Sequence, residues 1–88
     1  MEPVLGKIEL FAFDYAPQGW LKCEGQLLKI EDYPQLFSLL GTTYGGDGEY
    51  NFGLPNMEGK EPAKGLNYCV CIIQQYPGER GDGGGPLT

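Results

Sequence analysis

Glycine and proline interrupt this chain so often that long helices have little room to form. Fifteen glycines and seven prolines occur in 88 residues, a density that favours turns joining short elements. A chain of this length supports one domain with one modest core. With 41% hydrophobic and 20% charged residues, it is too apolar and too aromatic to remain disordered.

Between the breaks, residues 4–13 (VLGKIELFAF) alternate as a strand, with Ile8, Leu10 and Ala12 on one face and Lys7, Glu9 and Phe11 on the other. Pro17 and Gly19 mark a turn over residues 14–19. Residues 20–23 read as a short strand, Glu24-Gly25 as a hairpin signal, and residues 26–30 as its return strand. One helix follows, about two to three turns long. Asp32 is the expected N-cap, with Gln35 as its capping-box partner. Pro34 suits the first turn, and Leu36, Phe37, Leu39 and Leu40 form an apolar face. Gly41 suits the end.

Residues 42–48 (TTYGGDG) match a phosphate cradle only in glycine content, since neither a Lys-Ser/Thr pair before a helix nor a βαβ unit accompanies them. A structural loop is expected. Gly45, Gly46 and Gly48 admit backbone conformations closed to other residues, and Asp47 bonds the loop amides. Residues 50–54 form a short strand ended by Pro55, and residues 56–65 a polar connector. Residues 66–76 (LNYCVCIIQQY) are the strongest strand, apolar enough to need cover on both faces. In so small a domain, part of that cover is expected from another subunit. Residues 1–76 thus read as a single domain and residues 77–88 as a glycine-rich tail, flexible on composition. Arg80-Gly81-Asp82 in that tail spells an integrin-binding tripeptide, but a glycine-rich tail accounts for it equally well.

The net charge is −6, and Lys7, Lys22, Lys29, Lys60, Lys64 and Arg80 are scattered. No basic face is expected, so neither nucleic acid nor an anionic membrane surface is an expected partner. No segment has the length of a membrane span, and the first residues lack the basic-then-apolar order of a secretory signal.

Chemistry has little to work with. Histidine is absent, and no GxSxG motif or Cys–His pair occurs. The carboxylate pairs Glu31-Asp32 and Asp47-Glu49 fall where capping or turns account for them. No catalytic residue, cofactor or metal site is expected, and the chain does not read as an enzyme. The three cysteines, Cys23, Cys69 and Cys71, contain no CxxC motif, and a zinc site would need a fourth ligand from a carboxylate. They read either as small buried hydrophobes or as partners in an interchain disulfide, which an odd count permits in an oxidising environment. Phe11, Trp20, Phe37, Tyr44 and Phe52 are expected to share the core, with some aromatics facing a neighbouring subunit. The expected interface residues are Cys69, Cys71, Ile72, Tyr76 and Trp20.

Longer matches lie in residues 6–12 (GKIELFA), 16–20 (APQGW), 23–28 (CEGQLL) and 36–48 (LFSLLGTTYGGDG), followed by Phe52 and Leu54-Pro55. In this order and spacing they resemble the phage tail-collar domain family, found in short tail fibres and in microcystin-dependent proteins. Residues 66–77 resemble the closing strand of the same proteins, which brings the likeness to roughly four-fifths of the chain. Residues 56–61 (NMEGKE) depart from the family's basic, glycine-containing segment. A connector of about ten residues replaces the large variable region of longer members. Any metal site borne by that region does not carry over to a chain without histidine.

The resemblance implies an α+β, mostly β fold: a small antiparallel or mixed sheet with one short helix. It implies a self-assembling structural subunit of a phage tail-like particle or an extracellular filament. The expected partners are copies of itself, as a trimer or an open filament, and other tail or appendage proteins. The expected location is extracellular or on a virion, without a classical signal peptide. The alternative is a module binding a cell-surface glycan or receptor, with Tyr15, Trp20 or Tyr50 stacking on sugar rings. Loss of the variable region argues for assembly.

Overall fold

The computed structural model describes residues 4–73. Its elements run β1 (Ile8–Phe11), β2 (Trp20–Lys22), β3 (Leu27–Lys29), α1 (Pro34–Leu40), β4 (Asn51–Gly53) and β5 (Asn67–Cys71). They build a three-stranded sheet in the order β1-β5-β2 and a two-stranded sheet of β3 and β4. The fold is α+β and mostly β, and every strand pair among the described residues is antiparallel.

Entry to β1 is set by glycine. The Lys7 N–H donates to the Val4 carbonyl at 2.9 Å, and Gly6 takes φ 84°, a turn geometry that disfavours side chains. The Gly6 N–H then donates to the Cys71 carbonyl at 2.9 Å, and the Cys71 N–H to the Lys7 carbonyl at 2.8 Å. Two residues of the first strand thus oppose one of the last, a glycine bulge that starts the ladder. Beyond it Ile8 pairs with Val70, Glu9 with Cys69, Leu10 with Tyr68 and Phe11 with Asn67.

The hairpin expected at Glu24-Gly25 does not form. β2 pairs with β5, whereas β3 pairs with β4. Gln26 explains the parting: its Oε1 accepts the Glu24 N–H at 3.0 Å, and its Nε2 donates to the Lys22 carbonyl at 2.8 Å. That carbonyl would otherwise serve a return strand. The chain crosses to the second sheet, held by the Glu24–Asn56 bridge and by the Gly25 N–H on the Pro55 carbonyl at 3.2 Å.

The helix begins one residue later than its expected cap. Tyr33 is the N-cap, with no side-chain cap bond, and Pro34 opens the first turn. The Asp32 and Tyr33 amides donate to the Lys29 and Ile30 carbonyls, so Asp32 belongs to the preceding turn and stays exposed. At the other end the Gly41 N–H reaches the Phe37 carbonyl at 2.7 Å, with φ 58°.

The core gathers Leu5, Cys23, Leu36, Phe52, Leu54 and Val70 from both sheets and the helix. Leu36 and Phe52 are fully enclosed, and the Phe37 ring meets Phe52 at 5.4 Å. Losing a buried leucine side chain costs about 2–5 kcal/mol, so this small cluster carries much of the fold.

As the central strand, β5 leaves Cys69, Val70 and Cys71 with no exposure. The expectation that another subunit supplies part of the cover is corrected for Cys69, Val70 and Cys71, which their own chain encloses, whereas Ile73 beyond them stays 38% exposed. Ile8 and Leu10 point to the core side of the edge strand, where cover runs out, and remain 37% and 39% exposed. Tyr76, the boundary after residue 76 and the tail 77–88 with its Arg80-Gly81-Asp82 lie outside the described residues.

Candidate functional site

The glycine loop lies directly on β4. The Gly53 N–H donates to the Gly45 carbonyl, and the Gly48 N–H to the Asn51 carbonyl, both at 2.9 Å. A side chain at Gly46 would place its Cβ 2.4 Å from the Phe52 Cα, and one at Gly53 would meet the Tyr44 carbonyl oxygen at 2.5 Å. Asp47 organises the remainder. Its Oδ1 accepts the amides of Glu49 and Tyr50 at 2.8 Å and of Asn51 at 3.1 Å, while Asn51 Oδ1 accepts the Asp47 N–H. These donors, Tyr50 first, hold the Asp47 carboxyl below its ordinary range. Its Oδ1 is spent on three backbone amides, which gives this carboxylate a positioning role in the turn.

The second concentration of chemistry is the face of β5 turned away from the core. Residues directly opposite on paired strands share a face, so Phe11, Glu9, Lys22 and Trp20 surround Asn67, Cys69 and Cys71. Phe11 and Trp20 meet edge to face at 5.0 Å. Phe13 follows at 5.4 Å from Phe11, and Tyr15 stacks on Phe13 at 4.5 Å. Asn67, 7% exposed, donates from Nδ2 to the carbonyls of Phe13 and Tyr15 and accepts the Cys69 thiol at 2.9 Å. It pins the segment after β1 to the central strand. Its role was missed in the sequence, although an amide opening an otherwise apolar strand is a usable signal.

All three thiols are free and buried. Burial, and then the neighbouring Cys69, pushes the Cys23 thiol up to about 11. Burial likewise raises Cys69, partly offset by Lys22. Cys69 and Cys71 have no exposure and Cys23 has 2%, so an interchain disulfide at any of the three requires its strand to open. Cys69 and Cys71, both expected at a subunit interface, are enclosed within their own chain. Trp20 and Ile72 are half-buried, Trp20 under Phe11 and Ile72 against the core.

The outer surface carries the ion pairs Lys7–Glu9 at 3.0 Å and Lys22–Glu24 at 3.9 Å. Tyr15 is 60% and Tyr50 71% exposed, and Tyr50 borders an open pocket with Lys29, Ile30, Glu31 and Glu49. Among the described residues no group of three His, Cys, Asp or Glu side chains could hold a metal ion. No described helix is long and apolar enough to cross a membrane.

No curated protein matches the chain. The family model described as Phage Tail Collar Domain matches residues 6–62, a span that runs from the bulge glycine through the helix and loop to the connector after β4. That is well over half of the sequence, and the chain belongs to the phage tail collar domain family.

Proposed function

We propose that this collar domain is a self-assembling structural subunit of a phage tail-like particle or an extracellular filament. It acts by packing against copies of itself and against other tail or appendage proteins. The coarser statement, a structural role in a phage tail or tail fibre on the virion, comes with the family. The observation that carries the finer reading is apolar surface on an otherwise acidic chain. Ile8, Leu10 and Leu39 remain 37%, 39% and 41% exposed, and Leu39 lines an open groove with Val4, Leu5, Gly6, Lys7 and Leu40. Apolar surface left together in this way marks interaction sites. Light scattering over a concentration series, with negative-stain microscopy of the same samples, tests the reading and separates a trimer from an open filament. A strict monomer at high concentration, in both reducing and oxidising buffer, overturns it.

A second reading, binding of a cell-surface glycan, is favoured by Tyr50 beside its pocket with Lys29, Glu31 and Glu49. A bare ring next to charged side chains suits a sugar ring with its hydroxyls. A glycan array compares the natural chain with Tyr50→Ala; saturable binding lost in the variant supports this reading, and absence of binding removes it.

A further inference from the structure

The two edges of the three-stranded sheet are unequal. The Gly6 and Cys71 bonds at the bulge set the phase of the β1–β5 ladder. Lys7, Glu9 and Phe11 therefore turn their backbone groups inward, and Ile8 and Leu10 turn theirs outward. On the opposite edge the Cys23 N–H bonds the Tyr68 carbonyl and the Ile72 N–H bonds the Gly19 carbonyl, so Trp20 and Lys22 face outward there. The outward Lys22 carbonyl is already taken by Gln26 Nε2 at 2.8 Å. Side-chain capping of this kind blunts an edge. Among the described residues no comparable bond caps β1.

We propose that β1 is the edge through which two copies of this chain join, antiparallel about a twofold axis that sets Ile8 opposite Ile8 of the second copy. The inference rests on the self-assembly reading and names its contact. Residue spacing selects the partner and the register. With Ile8 on the axis, Lys7 stands opposite Glu9 of the second copy and Glu9 opposite its Lys7. The existing Lys7–Glu9 pair becomes a network of four alternating charges. Sliding the pairing to centre on Glu9 puts two carboxylates directly opposite each other, which is unfavourable. Ile8 also carries outward backbone groups, so the central pair exchanges both of its hydrogen bonds. The opposite face gains as well. Ile8 and Leu10 lie on it, and Leu39 borders it, its Cδ1 3.4 Å from where a Gly6 Cβ would stand. The axis brings both copies of this strip together. The contact is isologous and closes on itself, so any larger assembly uses a further surface.

Sedimentation of the full chain at low salt tests the proposal. The natural chain is expected to dimerise. Lys7→Glu and Glu9→Lys should each weaken the dimer by about tenfold or more, and the double exchange should restore it. On oxidation Ile8→Cys should give a covalent dimer and Leu10→Cys, set opposite residue 6 of the second copy, should not; the buried native thiols add no background. If the natural chain associates while the charge variants match it and Ile8→Cys stays uncrosslinked, the β1 contact is overturned and self-assembly stands. If the natural chain is monomeric throughout, both fall.

Discussion

Phe11 and Trp20 stand on strands that are not paired with each other, yet their rings meet with centroids 5.0 Å apart and planes at 78°. The central strand β5 runs between them. By leaning inward from opposite edges they roof the face that carries Cys69 and Cys71. Edge-to-face contact adds about 0.5–1.5 kcal/mol to the area it buries. This roof lets a strand that is apolar on both faces be satisfied within one small chain.

Phe11→Ala should therefore act on stability and on the thiols together. Phe11 is only half-buried, so the cost should be about 2–3 kcal/mol, below the ~3–5 kcal/mol of a fully enclosed ring. Urea unfolding measures the cost, and the rate of thiol labelling in the folded protein should rise. Unchanged labelling would show that the roof does not protect the cysteines.

Gly46 and Gly59 both have positive φ, 92° and 82°, but their surroundings differ. A Cβ at Gly46 collides with β4, whereas one at Gly59 meets nothing within 4 Å. Gly59→Ala should cost about 1 kcal/mol from backbone strain alone. Gly46→Ala should cost at least about 3 kcal/mol, because the loop must lift off β4. Thermal melts of the two variants side by side check the difference.

Asp47 should make the loop acid-sensitive. Its backbone donors lower the carboxyl below the ordinary value of 3.8, so the folded state favours the charged form. That contribution is present above 3.8 and is lost as pH falls below it. Asp47→Ala should melt below the natural protein at pH 7, and the gap should narrow in acid below pH 3.8. A gap that stays constant with pH would contradict the carboxylate's role.

Cys23 gives the opposite sign. Its thiol rises from 9.0 to about 11, so the fold favours the neutral form. Stability should hold below pH 9.0 and decline between there and about 11. Cys23→Ala should lose that part of the alkaline decline. Thiol labelling at pH 8 should be slow in the folded natural chain and fast for all three cysteines in denaturant.

Features that depend on neighbours in sequence were legible. The alternation over residues 8–11, the apolar spacing of Leu36, Phe37 and Leu40, the terminating Gly41 and the turn role of Asp47 are short-range matters of backbone geometry and side-chain period. The helix cap was misplaced by one step, because the turn over residues 29–33 absorbs Asp32 before the helix begins. The Glu24-Gly25 signal promised a hairpin, but a Gln26 side chain and a better partner in β4 redirected the strand.

By itself the sequence determined the short elements, their order and the family, since these rest on local propensity and on residues at fixed spacing. The tertiary structure alone decided which strands pair and what covers β5. Pairing is a competition among distant segments for the same backbone groups. Burial of β5 depends on rings from Phe11 and Trp20, far from it in sequence, and no local pattern records where they will meet.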